Sequence, residues 1–203
     1  MILASASPRR RELLTQAGFS FTVIPAEGEE EPGDRTPEET VRFLSAQKAH
    51  EVARRLTEPG NEGIFGDEKI TDNLLVIGAD TVVSLKGEIL GKPTDRADAA
   101  RMLGLLSGHT HEVWTGVTLI SIPAGGRRRE ITFAECTEVD IADLSPEEID
   151  AYVATGEPDD KAGSYAIQGR FGVYVRAIRG SYHNVVGLPI AALYRVLREN
   201  SLM

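Results

Sequence analysis

The sequence predicts an α/β fold built on a mixed sheet, and three observations lead there. Short apolar runs of strand character alternate with amphipathic segments of helical period along the 203 residues. Two helix starts are signed by capping boxes with proline at the first helical position, at Thr36-Pro37-Glu38-Glu39 and Ser145-Pro146-Glu147-Glu148. Residues 112–122 and 129–141 read as two long antiparallel strands around Gly125-Gly126. Antiparallel pairs within an alternation of strands and helices make the sheet mixed.

Each element has its own local reason. Ile2-Leu3-Ala4 is a short buried strand. Ser7 stands as an N-cap with Pro8 at N1, and Leu13, Leu14 and Ala17 form the apolar face of a helix that Gly18 ends. Residues 19–24 resemble a second strand, and 26–35 are acidic and loop-like. The capping box at Thr36 opens a helix to about Leu56. Residues 57–73 hold Pro59, Gly60, Gly63 and Gly66 among several charges and read as a surface loop. Residues 74–79 are an apolar strand that delivers Asp80 at its C-terminal end; 81–84 and 88–90 follow as a hairpin about Lys86-Gly87. Asp95 caps a helix carrying Ala99, Met102, Leu103 and Leu106, with Gly108 as its stop. The second capping box opens a helix to about Ala154, residues 156–170 form a glycine-rich polar loop, and 172–178 are a strand. Pro189 opens a C-terminal helix through Leu193 and Leu197.

Composition narrows the function. The length suits one domain, or two lobes sharing a core. The 22 basic residues against 31 acidic give a net charge of −9, which argues against a nucleic-acid coat, because phosphate-backbone binding runs on a basic surface. A small anion remains open, held by a few local cations or through a divalent metal. A single cysteine, Cys136, excludes a disulfide framework and a cysteine-rich zinc module. No apolar run approaches a membrane span, and the start MILASASPRRRELL carries no signal-peptide pattern. A cytoplasmic protein without membrane or nucleic-acid partners is expected.

Five segments offer chemistry. In SASPRRRELL, Ser5, Ser7, Arg9, Arg10 and Arg11 lie between a strand end and a helix N-terminus, where free N–H groups, hydroxyls and guanidinium forks favour a phosphate. Three arginines in a first helical turn oppose the helix dipole, a conflict that an anionic ligand would remove; a solvated basic turn is the plainer alternative. Lys48 shares a helical stripe with Val41, Leu44 and Val52, so it needs a counter-charge, from a phosphate or a carboxylate such as Glu30, or else snorkels to the edge. Asp80, at a strand's carboxyl end, suits a hard metal ion or the acceptance of a proton from water, although an aspartate also simply begins turns. Gly78 before it permits a close backbone approach. Lys92, between Gly91 and Pro93, is a presented point charge for a phosphate. The stretch GEPDDKAGSYAIQG brings Asp159, Asp160, Lys161, Tyr165 and Gln168 onto one loop, and a glutamine amide can read a base edge as both donor and acceptor. Glu29 or Glu30, in an acidic run, is a candidate beside a metal. The four histidines are scattered and read as structural or surface residues, Trp114 and Phe133 as core, and Cys136 as chemically idle.

Together SASPRRRELL, SAQKA, IGADTVV with GEILGKP, LSGHTHEVWTGV, GEPDDKAGSYAIQG and GSYHNVVGLP resemble the Maf family of nucleotide pyrophosphatases, in that family's order and over nearly the whole chain outside 57–73. The resemblance implies one Maf-like domain over residues 1–203. Its fold would be like that of the inosine triphosphate pyrophosphatases: an elongated, largely antiparallel mixed sheet with flanking helices, two lobes around a central cleft, and a homodimer. It implies hydrolysis of a nucleoside triphosphate to the monophosphate and pyrophosphate with a divalent cation, Mg²⁺, Mn²⁺ or Co²⁺. Asp80 matches the family's proton acceptor. Arg9, Thr81 and Gln168 match the positions that separate its subgroups, in the pattern of the dTTP- and UTP-preferring one. Ser7, Arg9, Arg10, Lys48 and Lys92 fall to phosphate binding, Asp80 and Glu30 to the metal, and Asp160 and Lys161 to the glycine-rich loop. Two alternatives stay open: a pyrophosphatase for modified nucleotides, or a nucleotide-binding regulator of cell division whose hydrolysis is incidental.

Overall fold

The computed structural model describes residues 1–30, 33–58, 73–123 and 127–203. Its elements follow one another as β1 (Ile2–Leu3), α1 (Pro8–Gln16), β2 (Thr22–Val23), α2 (Pro37–Thr57), β3 (Leu74–Leu85), β4 (Glu88–Leu90), α3 (Arg96–Leu106), β5 (Thr110–Ile122), β6 (Arg129–Ile141), α4 (Pro146–Val153), β7 (Val175–Arg179), α5 (Tyr182–Val186) and α6 (Ile190–Glu199). Short 3-10 turns at Glu157–Asp160, Ala162–Ser164 and Arg170–Tyr174 lie between α4 and β7. The sheet runs β2-β1-β3-β5-β6-β7, with β4 paired to β3. It is mixed, as expected: β1 pairs in parallel with both β2 and β3, whereas β3–β4 and β6–β7 are antiparallel.

The caps act as the sequence implies. The Thr36 and Ser145 hydroxyls accept the N–H groups of Glu39 and Glu148, and each glutamate reaches back to its cap's N–H. Asp95 caps α3 by accepting the Asp98 N–H at 2.8 Å. Gly108, at φ 70°, turns the chain out of α3 in a conformation that glycine adopts without strain.

Several boundaries differ from expectation. β3 does not end before Asp80 but runs through it to Leu85; the β-branched Val82 and Val83 keep the strand going. The strand expected over 19–24 shrinks to Thr22–Val23, and Ala17 is exposed at the end of α1. The last strand begins at Val175, because residues 170–174 form a 3-10 turn around the buried Phe171. α5 is a further helix, five residues long and capped by Ser181. Trp114 and Phe133 are half-buried rather than core. The loop expected at 57–73 and the turn at Gly125-Gly126 lie, except for residues 57, 58 and 73, outside the described residues.

The chain divides into two compact units. One comprises residues 1–80, 116–134 and 190–203; the other comprises 81–115 and 135–189. The first has a core of Ile2, Ala4, Ile24, Ala49, Val52, Ala53, Leu56, Val76 and Ile120. The second packs Val83, Leu103, Leu106, Val139, Ile141 and Tyr165 around Phe171. Among the described residues no helix is long and apolar enough to cross a membrane.

Candidate functional site

The first unit gathers a charged cluster, and packing at one glycine brings it together. A Cβ on Gly78 would collide with the Ser45 carbonyl and with Ala49, so only glycine lets α2 lie this close to β3. The same holds at Gly116 on β5, against Val41 and Arg42. Asp80 lies two residues beyond Gly78, on the same face of the strand. Lys48 is one helical turn beyond Ser45. The close approach therefore sets the lysine against the aspartate.

The Lys48 ammonium donates to Asp80 Oδ1 at 2.5 Å and pairs with Glu30 Oε1 at 2.8 Å. The side chains of Lys48 and Asp80 are only 16 % and 11 % exposed, and that burial makes each the condition for the other. Of the two candidate glutamates, Glu30 is the one whose carboxylate reaches the cluster. Glu29 offers its backbone carbonyl to Gln47 at 2.7 Å instead.

Arg10 is buried and donates to Ser5 Oγ at 2.9 Å. Burial pulls its guanidinium down from the ordinary value, and Asp80 pulls it back up. Burial likewise pushes the Asp80 carboxyl up, against the opposing pull of Lys48 and Arg10. The three arginines of α1 therefore have different stations. Arg10 is internal, Arg9 half-buried and Arg11 exposed. Ser7 occupies the N-cap without a side-chain cap; its N–H donates to Ser5 Oγ at 3.3 Å.

Asp80 and Glu30 converge on one point charge. Two carboxylates so placed suit a hard cation that takes its remaining oxygens from phosphates and water. Among the described residues no group of three His, Cys, Asp or Glu side chains is placed to hold a metal.

The other candidates belong to the second unit. The strand's period turns Thr81 away from the face of Asp80; its hydroxyl lies 2.9 Å from Thr115 Oγ1 and 3.5 Å from the Gly187 carbonyl. Lys92 is exposed between β4 and α3. Asp160 and Lys161 pair with each other. Gln168 is exposed, on a turn closed by the Gly169 N–H to the Ala166 carbonyl at 3.0 Å.

Around that turn lie Tyr152 and Glu157, to which sequence reasoning gave no role, beside Tyr165, which it placed on the candidate loop. Tyr152 donates to Glu157 Oε1 at 2.8 Å, and Glu157 Oε2 accepts the Arg170 N–H at 3.1 Å. His111 Nε2 lies 2.8 Å from the Tyr165 hydroxyl. The thirteen-residue separation of Glu157 from Arg170 hides the pairing in the sequence.

Residues 1–200 match the family described as Maf-like protein. A dTTP/UTP pyrophosphatase from Agathobacter rectalis is 52% identical over 200 residues, covering 98% of this chain and 96% of the relative. One from Bacillus anthracis is 48% identical over 200 residues, covering 98% and 94%. Among solved structures, the chain is similar to a nucleoside-triphosphatase / dITP/XTP pyrophosphatase from Mycobacterium abscessus. That likeness has 13% identity and a TM-score of 0.43, and it covers 98% of this chain and 96% of the other. With a match from residue 1 to residue 200 and half of all positions shared with a relative of nearly equal length, the chain belongs to the Maf family.

Proposed function

We propose that the protein is a nucleoside triphosphate pyrophosphatase that hydrolyses dTTP and UTP to the monophosphate and pyrophosphate. The observation that carries the reading is the buried Lys48–Asp80 pair with Glu30 and Arg10 around it. It stands in a chain 45% to 52% identical to relatives named dTTP/UTP pyrophosphatase.

In this reading Asp80 is the proton acceptor. It orients a water toward the α-phosphorus and takes its proton. The water oxygen bonds to that phosphorus, the bond to the bridging oxygen breaks, and pyrophosphate leaves. Ser7, Arg9, Arg10, Lys48 and Lys92 bind phosphate oxygens and offset charge as it shifts to the leaving group. Lys48 offsets part of the charge of Asp80 and Glu30 and keeps their oxygens together. Those two carboxylates would hold Mg²⁺, Mn²⁺ or Co²⁺, which when bound would draw charge from the triphosphate. Gln168, with Thr81 and Arg9, reads the pyrimidine edge, and Asp160 and Lys161 serve the same loop. A base that leaves such polar groups unpaired is rejected strongly. The reading places the protein in the cytoplasm as a homodimer, with nucleotides rather than nucleic acid or membrane as its partners.

The test is pyrophosphate release from dTTP, UTP, CTP, GTP, ATP and 7-methyl-GTP with Mg²⁺ or Mn²⁺. Release concentrated on dTTP and UTP, with monophosphate as co-product, is expected. Release concentrated on a purine would overturn the specificity, and none at all would leave a nucleotide-binding protein. Asp80→Asn should keep a cooperative unfolding transition and lose about 10²–10⁴ in turnover, the range for a general base. Turnover equal to the parent's would remove Asp80 from that role.

A further inference from the structure

The polar groups around Gln168 form a clamp whose members make no direct part of the proposed chemistry. Glu157 sits at its centre. Its two carboxylate oxygens hold the Tyr152 hydroxyl on one side and the Arg170 N–H on the other, at 2.8 and 3.1 Å. Tyr152 extends the clamp, because its oxygen also accepts the Ala166 N–H at 3.3 Å. The two residues thus grip the chain at 166 and at 170, on either side of Gln168.

The turn is shaped for this grip. A Cβ on Gly169 would displace the Glu157 carboxylate from this position, so the glycine leaves the room in which the carboxylate sits, while its extended dihedral angles are open to any residue. The Gly169 N–H closes on the Ala166 carbonyl at 3.0 Å, and the Gly172 N–H on the Gly169 carbonyl at 3.1 Å. Beneath lies Phe171, fully buried, with ring centroids of Tyr152 and Tyr165 each 5.0 Å away. Tyr165 is tied in turn to His111 at 2.8 Å. Glu157 itself is fixed at the start of its segment, where its N–H donates to Thr155 Oγ1 at 3.1 Å. Backbone on both flanks of Gln168 is thereby bonded to side chains from elsewhere, while the glutamine side chain stays exposed.

We propose that Glu157, through Tyr152 and the Arg170 N–H, is a positioning residue that sets the direction of the Gln168 amide and so the enzyme's choice of pyrimidine. The inference rests on the reading of Gln168 as the base reader. An amide that reads a base edge discriminates only if its donor and acceptor are held in register, since a turn that wanders lets the amide accommodate cytosine as well as uracil. An acidic residue suits the clamp because both bonds need acceptors. Glutamine would offer one acceptor oxygen and place an NH₂ group against one of the two donors.

The experiment compares kcat/KM for UTP and CTP in the parent, Glu157→Gln, Tyr152→Phe and Gln168→Ala, with unfolding midpoints and amide hydrogen exchange over residues 165–171. The expected result is a fall of about fivefold in the UTP-to-CTP ratio for Glu157→Gln, the scale of one lost hydrogen bond, with kcat for UTP little changed and exchange faster across the turn. Tyr152→Phe should lower the ratio similarly. A merely structural Glu157 would instead lower the unfolding midpoint and slow both nucleotides alike, leaving their ratio at the parent value, and that outcome overturns the proposal. If Gln168→Ala itself keeps the parent ratio, the base-reading assignment fails, and the positioning role falls with it. If Gln168→Ala abolishes the preference while Glu157→Gln keeps both ratio and exchange, only the positioning role fails.

Discussion

Lys48 shows how much one side chain reveals about its surroundings before any partner is known. Its spacing from Val41, Leu44 and Val52 puts it on a buried stripe, and burial of an ammonium demands a counter-charge. Glu30 was within chemical reach of that argument. The pairing with Asp80 was not, because 32 residues separate the two and their meeting depends on how α2 packs on β3. His111 makes the opposite case. Nothing in its neighbours marks it as special, yet it is buried, bonded through Nε2 to Tyr165, with Nδ1 lacking a protein partner. Protonating the ring would put a charge and an unmet N–H in that apolar setting, and burial pushes its pKa from 6.5 down to about 4. The unfolded chain therefore binds a proton at His111 between those values while the folded chain does not. Its stabilising contribution is complete above the unfolded pKa and is lost as pH falls through that window, to a total of about 3 kcal/mol. Denaturant titrations of the parent and of His111→Gln from pH 7.5 to 4 should show the variant losing less stability; parallel curves would contradict the assignment.

At the scale of elements, legibility followed the source of each signal. Capping boxes and prolines are local, so the starts of α2 and α4 were readable to the residue. Strand ends depend on pairing, which is not local. β3 runs on past Asp80 because β4 pairs with its second half, from Val83 to Leu85. α5 escaped notice because five residues leave too short a period to detect. Trp114 looked like core from its type alone, but alternation along β5 sets it on the half-buried face beside Glu112, which accepts its indole N–H at 2.9 Å. Gly78 joins the element to the site. Gly78→Ala should force α2 off β3, cost about 1–3 kcal/mol as an overpacked core does, and weaken turnover by parting Lys48 from Asp80. A thermal midpoint and a pyrophosphate assay check both effects, and a variant unchanged in both would show that the close approach is dispensable.

At the scale of the molecule, neither unit is a continuous stretch of chain. The unit that holds Asp80, Lys48 and Glu30 also needs residues 116–134 and the C-terminal segment 190–203. In it α2 lies against β5 at Gly116, and the Ser45 hydroxyl meets that of Thr118 at 2.9 Å. A fragment of residues 1–80 should therefore lack both surfaces and show no cooperative thermal transition by circular dichroism. A cooperative transition would mean that the first segment carries a complete core.

By itself the sequence determined the fold class, the starts of α2 and α4, the net charge of −9, and the family through its motifs. The first three are written in local periodicity, capping chemistry and composition, and the family in the resemblance of its motifs. It also named candidate site residues one by one. Only the tertiary structure decided which of them meet. It paired Lys48 with Asp80 and chose Glu30 over Glu29. It also buried Arg10 among its neighbours while leaving Arg11 in solvent, and set Glu157 beneath the turn that carries Gln168. The physical reason is the same in each case. Burial and charge pairing depend on packing between elements far apart in the chain, at contacts such as α2 on Gly78, and no local pattern encodes such a contact.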